Sequence, residues 1–371
     1  MHRHHGQRLI VRDDGAIVFV DPDPSMLPVI KEFAPSFSIV SQPLPGFSRP
    51  RLLDTAVTGS GVEWAALADT PTDTCWLAHE TALRERPSRL PAEASLLALK
   101  SELAQRMLRR CELCGLRCAV DRTDGRRGRC GLGQEALVYE AYVHIAEEPP
   151  INPSLNVALR GCGLRCRYCQ QSGALRSDGP MAEVLGPATW EQLDCAGARS
   201  LSFVGGNPTE SLPAVLRFLG SAPADFGLPV VWNSSGFDSV EALRLLDGVC
   251  DAFVPDCKYG NDQCAANLSE APGYTGIART AIAEMCRQGV PVFVRMLVLP
   301  GHANCCHLPS LELLAPWREQ IDLNVLSQYL PDSLIGPGDG ELARRVPMGE
   351  VEAVRAAAER AGFRLMPPAW S

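Results

Sequence analysis

Gly161-Cys162-Gly163-Leu164-Arg165-Cys166-Arg167-Tyr168-Cys169 carries three cysteines at a Cys-x3-Cys-x2-Cys spacing. Two arginines and one aromatic residue are interleaved with them, and the largely apolar run Asn156 to Leu159 leads into the first cysteine. Iron–sulfur clusters take soft thiolate ligands. A closed site uses four, so three on one short loop read as a 4Fe–4S cluster with one iron left open for another ligand. The competing readings are a zinc knuckle and three unrelated buried cysteines. Zinc more often takes a Cys-x2-Cys pair and a distant second pair, so the spacing favours the cluster.

The 371 residues suffice for two or three domains, and 46% hydrophobic residues is ordinary for a chain with a real core. A formal net charge of -8 argues against a surface built as a nucleic-acid footprint. No apolar run reaches the length of a membrane span, and the start, Met1-His-Arg-His-His-Gly, lacks the apolar core of a signal peptide. A cytoplasmic location is therefore expected. The 15 cysteines would there be mostly reduced, and clustered ones point to metal. The histidines at 2, 4 and 5 read as part of a frayed terminus.

Three segments are expected. Residues 1–94 read as a small α+β module of unassigned role: a hairpin from Arg8 to Val20 turning at Asp13-Asp14-Gly15, a short helix from Met26 to Phe33, then irregular linker broken by prolines at 43, 45, 50, 71, 87 and 91. Residues 95–150 begin with a helix, Leu96 to Arg110, capped by Ser95 and striped by Leu96, Leu99, Leu103 and Met107. The helix delivers Cys111-Glu-Leu-Cys114-Gly-Leu-Arg-Cys118, followed by Cys130, a complete four-thiolate set. Zinc and a second iron–sulfur cluster both fit this set, the spacing leaning to iron–sulfur. Eight arginines and three acidic residues lie between Arg106 and Cys130. They read as charge balance for an anionic tetra-thiolate site rather than as an RNA-facing patch. Gly131-Leu-Gly133-Gln-Glu-Ala136 imitates a dinucleotide fingerprint, but it follows a cysteine loop and precedes an extended run, so it is rejected.

Residues 151–371 show a strand–helix rhythm. The expected strands are Asn156–Arg160, Ser200–Gly205, Pro229–Asn233, Ala252–Asp256, Val290–Leu299 and Asp322–Gln328. The expected helices are Ala188–Cys195, Leu212–Leu219, Ser239–Leu246, Tyr274–Gln288, Leu308–Gln320 and Met348–Ala361. Such alternation implies a parallel α/β sheet with right-handed crossovers. Six units fall short of eight, so a partial, open (β/α)6 TIM-like barrel is expected. Polar and glycine motifs fall at the C-terminal strand ends, the active face of such barrels. They are Gly205-Gly206-Asn207-Pro208, Asn233-Ser234-Ser235-Gly236, Asp256-Cys257-Lys258, Arg295 and Gln328-Tyr329. Cys305-Cys306 read as incidental cysteines rather than substrate-facing thiols.

With Cys162, Cys166, Tyr168 and Cys169 matching Cys-x3-Cys-x-aromatic-Cys, followed by Gly205-Gly206-Asn207-Pro208, the sequence resembles the radical S-adenosylmethionine (SAM) enzymes. Within them it resembles the pyruvate formate-lyase activating enzyme-related iron–sulfur proteins. That closer likeness rests on His144-Ile-Ala-Glu-Glu148-Pro-Pro150, Cys169-Gln-Gln171, Val204-Gly-Gly-Asn-Pro-Thr209, Val231-Trp-Asn-Ser-Ser-Gly236, Pro255-Asp-Cys-Lys-Tyr259, Val294-Arg-Met-Leu-Val-Leu-Pro-Gly301 and Gln328-Tyr329. The Cys111–Cys130 block is also a feature of these relatives. The resemblance covers roughly residues 96–371.

The resemblance implies that SAM binds the open iron and is cleaved by one electron to a 5′-deoxyadenosyl radical that takes a hydrogen from a substrate. It assigns Cys162, Cys166 and Cys169 as ligands and packs Tyr168 by the adenine or the cluster. Gly205 and Gly206 would let the backbone approach the methionyl group. Asn207, where relatives usually have Glu, would accept from its ammonium, ahead of Pro208. Asn233 and Ser235 suit the ribose hydroxyls. Asp256, Lys258 and Arg295 form a charged catalytic set, with Lys258 or Arg295 facing the SAM carboxylate. Met296 and Cys257 stand where relatives commonly carry His and Phe. A protein or peptide substrate and a low-potential electron donor, flavodoxin or ferredoxin, are the implied partners. Two other readings stand beside this one: a non-catalytic iron–sulfur electron carrier or scaffold, hinted at by Asn207, and an RNA-modifying enzyme, which the acidic net charge opposes.

Overall fold

The strands alternate between two environments, and that alternation builds the molecule. In the computed structural model, which describes residues 8–11, 17–20, 64–85 and 95–367 apart from 146, 173–181, 196, 224, 332 and 333, one nine-stranded sheet organises the chain. Its strands are β3 (Leu137–His144), β4 (Ser154–Leu159), β5 (Glu183–Val184), β6 (Ser200–Gly205), β7 (Val230–Ser234), β8 (Ala252–Pro255), β9 (Val292–Leu297), β10 (Ile321–Leu326) and β11 (Arg364–Leu365). They run in the order β11-β10-β9-β8-β7-β6-β4-β3-β5. All pairings from β4 to β11 are parallel, and β3 pairs antiparallel with β4 and β5. The sheet stays open, and this is the partial barrel that the rhythm predicts. β3 draws the segment ahead of residue 151 into the same sheet. A separate antiparallel hairpin, β1 (Arg8–Val11) with β2 (Ile17–Val20), pairs as the sequence implies. Its turn at Asp13-Asp14-Gly15, the expected helix at Met26–Phe33 and the histidines at 2, 4 and 5 lie outside the described residues.

Parallel strands covered on both faces are apolar throughout, and every residue of β4 is buried. One face of the sheet (Leu155, Phe203, Trp232, Phe253, Val294, Leu323) joins the large core under the helices. The other face forms a small apolar plug of Ile151, Val231, Ala252, Val254, Phe293 and Met366. Beside the plug, buried hydroxyls satisfy one another: Ser200 Oγ donates to Ser154 Oγ at 2.9 Å, and Ser154 and Ser202 share a bond at 2.6 Å. Further along the strands the same face turns polar at Asn233, Asp256, Arg295 and Asn324.

The helices are α1 (Thr72–Glu85), α2 (Leu96–Met107), α3 (Thr189–Gln192), α4 (Leu212–Gly220), α5 (Val240–Leu246), α6 (Asp262–Ser269), α7 (Tyr274–Arg287), α8 (Leu308–Leu314) and α9 (Met348–Arg360). Ser95 caps α2 as expected, its hydroxyl accepting from the Ala98 N–H at 3.1 Å. The expected linker around Pro71 is instead helical, because a proline just ahead of a helix costs it no hydrogen bond. The expected helix to Gln320 is shorter: Pro316 lies in a separate 3-10 turn, Ala315–Trp317, after α8 has ended. Helix α6 was not expected; Asn261 caps it through the Cys264 N–H at 2.7 Å.

Helix α2 packs against α1, α4 and α5, and a lysine sits inside that contact. Lys100 is fully buried, with Nζ 2.7 Å from His79 Nε2. Burial pushes its pKa down from 10.5 to about 7. The unfolded chain therefore binds more protons than the folded one between those values, so stability rises with pH across that window. Between pH 7 and 8.5 the melting temperature is expected to climb, with a slope of at most about 1.4 kcal/mol per pH unit from this group. Lys100→Met should lack this component; parallel pH profiles for the two proteins would disprove it.

Candidate functional site

The loop after β4 is held by backbone bonds to two later elements, the turn after β6 and the end of α6, and by one carboxylate. Asn207 N–H donates to Gly161 O at 2.9 Å, Arg165 N–H to Ser269 O at 2.9 Å and Arg167 N–H to Leu268 O at 2.9 Å. Gly163 N–H donates to Glu210 Oε1 at 2.9 Å. Cys162, Cys166 and Cys169 thus stand at the C-terminal edge of the sheet, each half-buried. Ser269 Oγ donates to Cys166 Sγ at 2.9 Å. Burial, the Glu210 carboxylate and the Cys166 thiol push the Cys162 pKa well above its usual value. Loading such thiols with a metal releases protons.

The second cysteine loop lies against the first. Gly115 N–H donates to Phe237 O at 2.8 Å, and Ser239 Oγ to Leu113 O at 3.0 Å, which docks the Cys111–Cys118 turn on the loop after β7. Arg122 is buried, reaching Gly133 O at 2.8 Å through Nε, and Glu210 O at 2.9 Å and Cys111 Sγ at 3.7 Å through Nη1. It supplies the positive charge that an anionic thiolate set needs. Most other arginines of the loop meet carboxylates instead of the thiols, Arg117 pairing with Glu112 and Glu241, Arg126 with Asp124, and Arg129 with Glu270, while Arg127 donates to Gly131 O at 3.2 Å. Burial and Glu210 push Cys130 up to about 11 against the pull of Arg122. A side chain at Gly163 would strike Leu116 Cδ1 at 2.7 Å and stand 3.6 Å from Cys114 Sγ. A larger residue there would have to push the Leu116 side chain aside where the two loops touch.

The residues expected to hold SAM are brought to this edge, but several are engaged by the protein. A Cβ on Gly205, at φ +108°, would lie 2.5 Å from Leu159 O. Its bareness serves the contact with β4 rather than a ligand, and Gly206 N–H donates to Leu159 O at 2.8 Å. Asn207 is buried; its Oδ1 accepts from Ser235 N–H at 2.9 Å and its Nδ2 donates to Glu210 Oε2 at 2.5 Å. One lone pair of the acceptor expected to face an ammonium is therefore taken by the protein itself. Pro208 is buried at the first position of a 3-10 turn, Pro208–Ser211. Ser235 is buried, its hydroxyl accepting from Phe237 N–H at 3.4 Å. Asn233, half-buried, lies on the polar stretch of the sheet. Tyr168 is buried edge-on to Tyr259 and Tyr329, donating to Tyr259 Oη at 2.7 Å.

The charged set splits in two. Lys258 Nζ binds Asp256 Oδ2 at 2.6 Å. Burial opposes its charge, but Asp256 and the Cys166 and Cys162 thiols outweigh that and hold its pKa above the ordinary value, so Lys258 stays protonated beside the loop. Arg295 turns elsewhere. Its Nε reaches Glu148 Oε1 at 2.7 Å, and Nη2 reaches Glu148 Oε2 at 2.5 Å and Glu147 Oε2 at 3.1 Å. Asn324 Nδ2 adds a bond to Glu148 Oε1 at 2.9 Å, His144 meets Glu147 at 2.8 Å, and Gln328 meets Glu147 at 2.6 Å. Glu147 and Glu148 bind the guanidinium through Nε and Nη2, so Arg295 belongs to a barrel-end ion-pair network. Met296 and Cys257 are buried in the large core beneath the helices; the polar edge is built without them.

Sequence reasoning missed Glu210, Arg122 and Asp238. Asp238 is buried and accepts from Thr209 Oγ1 and Ser234 Oγ, each at 2.5 Å. An acidic residue three positions after Asn207, ahead of an apolar helix, was the visible clue to Glu210. Among the described residues, no helix is long and apolar enough to cross a membrane.

Residues 156–314 match the family model described as the Radical SAM superfamily. An uncharacterised protein of Methanocaldococcus jannaschii is 29% identical over 280 residues, covering 73% of this chain and 81% of that protein. The crystal structure of HydG, described as a maturase of the FeFe-hydrogenase, aligns with a TM-score of 0.39 at 13% identity. The alignment covers 82% of this chain and 65% of that one.

Proposed function

We propose that this chain, whose residues 156–314 match the family model described as the Radical SAM superfamily, is a radical SAM enzyme acting on a protein or peptide, with an auxiliary iron–sulfur site. The observation that carries this reading is the three-thiol loop standing at the C-terminal strand edge beside a protonated Lys258. The donor set fits the group: three soft sulfurs suit iron, and no fourth cysteine belongs to the loop. Cys162, Cys166 and Cys169 would hold a 4Fe–4S cluster there, which would supply one-electron chemistry toward SAM. The chain's own residues place and shield that chemistry. Lys258, anchored by Asp256, offers an ammonium to a carboxylate such as that of SAM. Asn233 offers its amide to hydroxyls, and the aromatic wall of Tyr168, Tyr259 and Tyr329 keeps water from the loop's flank.

Cys111, Cys114, Cys118 and Cys130 are proposed to hold the auxiliary cluster. The Cys-x2-Cys-x3-Cys part of the set departs from the paired zinc-knuckle spacing, which favours a cluster. Electrons would come from a low-potential donor such as flavodoxin or ferredoxin in the cytoplasm. The use of Asn207 Oδ1 by Ser235 N–H favours a second reading, an iron–sulfur protein that carries electrons without turning over SAM. Anaerobic reconstitution, dithionite, SAM and an assay of 5′-deoxyadenosine separate the two. Product is expected; an intact cluster with no product would establish the second reading.

A further inference from the structure

Three potential ligands outside both cysteine loops converge on the segments that follow β8 and β9. Cys264 lies in the first turn of α6, His302 just after β9, and Cys305 in the π-helical turn Ala303–His307. Cys264 Sγ and Cys305 Sγ are 3.9 Å apart, and His302 Nδ1 is 3.7 Å from the first and 3.3 Å from the second. A tetrahedral zinc ion with bonds of about 2.3 Å to sulfur and about 2.0–2.1 Å to nitrogen spaces its ligands by about 3.8 Å between sulfurs and about 3.5 Å between sulfur and nitrogen. The three sides of the triangle already have those lengths.

The support around it is that of a built site. Asn261 Oδ1 accepts from Cys264 N–H at 2.7 Å, while its Nδ2 donates to Cys264 Sγ at 3.2 Å and to the Cys305 carbonyl. One amide therefore places both cysteines and offers an N–H to a thiolate, as outer partners of metal ligands do. The neighbouring Cys306 is buried and turned away, its Sγ accepting from Gly260 N–H at 3.3 Å. Cys305 itself is exposed, so an ion can reach the triangle.

We infer that Cys264, His302 and Cys305 form a third metal site, taking a soft divalent ion of the zinc class and leaving its fourth position to water. Two thiolates and one neutral imidazole match such an ion. The ion ties the segment after β8 to the segment after β9 at the rim of the candidate active face. This inference does not depend on SAM chemistry.

Cobalt(II) is the probe. Protein carrying its iron is titrated anaerobically with Co2+, following sulfur-to-cobalt charge-transfer absorption. Wild type is expected to take up one equivalent more than Cys305→Ala or His302→Ala, with iron content the same in all three. Unchanged iron shows that the variants are folded, and zinc should bleach the cobalt bands. Equal uptake by the three proteins, or a Cys264–Cys305 disulfide found by mass spectrometry in anaerobically isolated wild type, would overturn the assignment.

Discussion

With Cys162, Cys166 and Cys169 all replaced by alanine, the chain is expected to lose about four irons and to form no 5′-deoxyadenosine. The loss should be total because these are the thiols that the loop after β4 presents at the sheet edge. Their backbone is fixed independently of metal, through Gly163 N–H to Glu210 and through Arg165 and Arg167 N–H to the end of α6. The variant should therefore fold, and iron remaining on it reports the Cys111–Cys130 set. Iron and acid-labile sulfide measured on both proteins provide the check. Product formation by the triple variant at the wild-type rate would refute the assignment of the loop.

Arg295→Met is expected to cost about 3–5 kcal/mol of stability. The guanidinium is flanked by two carboxylates, and the Glu148 side chain is 0% exposed. Removing the cation strands a buried negative charge, and Asn324 offers it only a neutral amide. Burial opposes the charge on Glu147, and Arg295 first, then His144, hold its carboxyl below the usual range, so losing the guanidinium removes the main support of that charge as well. Arg295→Met combined with Glu148→Gln should lose less than the two single variants added together. Denaturant unfolding measures each; a loss below about 1 kcal/mol for Arg295→Met would show that the network is not closed. Such a stability loss separates a structural Arg295 from one that only faces ligand.

The strand rhythm was legible because parallel strands buried on both faces are nearly continuous apolar runs, each ended by glycine or polar residues. β6 is found at the expected residues, whereas β9 is trimmed at both ends to Val292–Leu297. The runs Asn156 to Leu159 and Val292 to Leu297 would read the same in either direction of chain; what fixed their order was the helix between each pair. Helix α6 escaped because Asp262-Gln-Cys-Ala-Ala-Asn-Leu-Ser269 is short and buries only a narrow apolar face, Ala265 and Leu268, although Asn261 ahead of it is a residue type that caps helices. Pairings across long stretches of sequence were equally hidden. Arg295 meets a carboxylate 147 residues earlier, and nothing local to Arg295 indicates whether it faces ligand or protein. The cysteine spacings were legible because one loop delivers each set. The triangle at Cys264 was not, because its ligands come from two loops.

Gly163 carries a consequence for anyone wishing to move this chemistry into another scaffold. The Cys162–Cys169 loop cannot be treated as a portable cassette. Its glycine is shaped to Leu116 and Cys114, and the carboxylate that anchors its backbone also lies three residues beyond Asn207. A graft of residues 161–169 alone would leave a groove where the second loop belongs and an amide with no acceptor. The smallest transferable unit includes the second cysteine loop and the turn that bears Glu210.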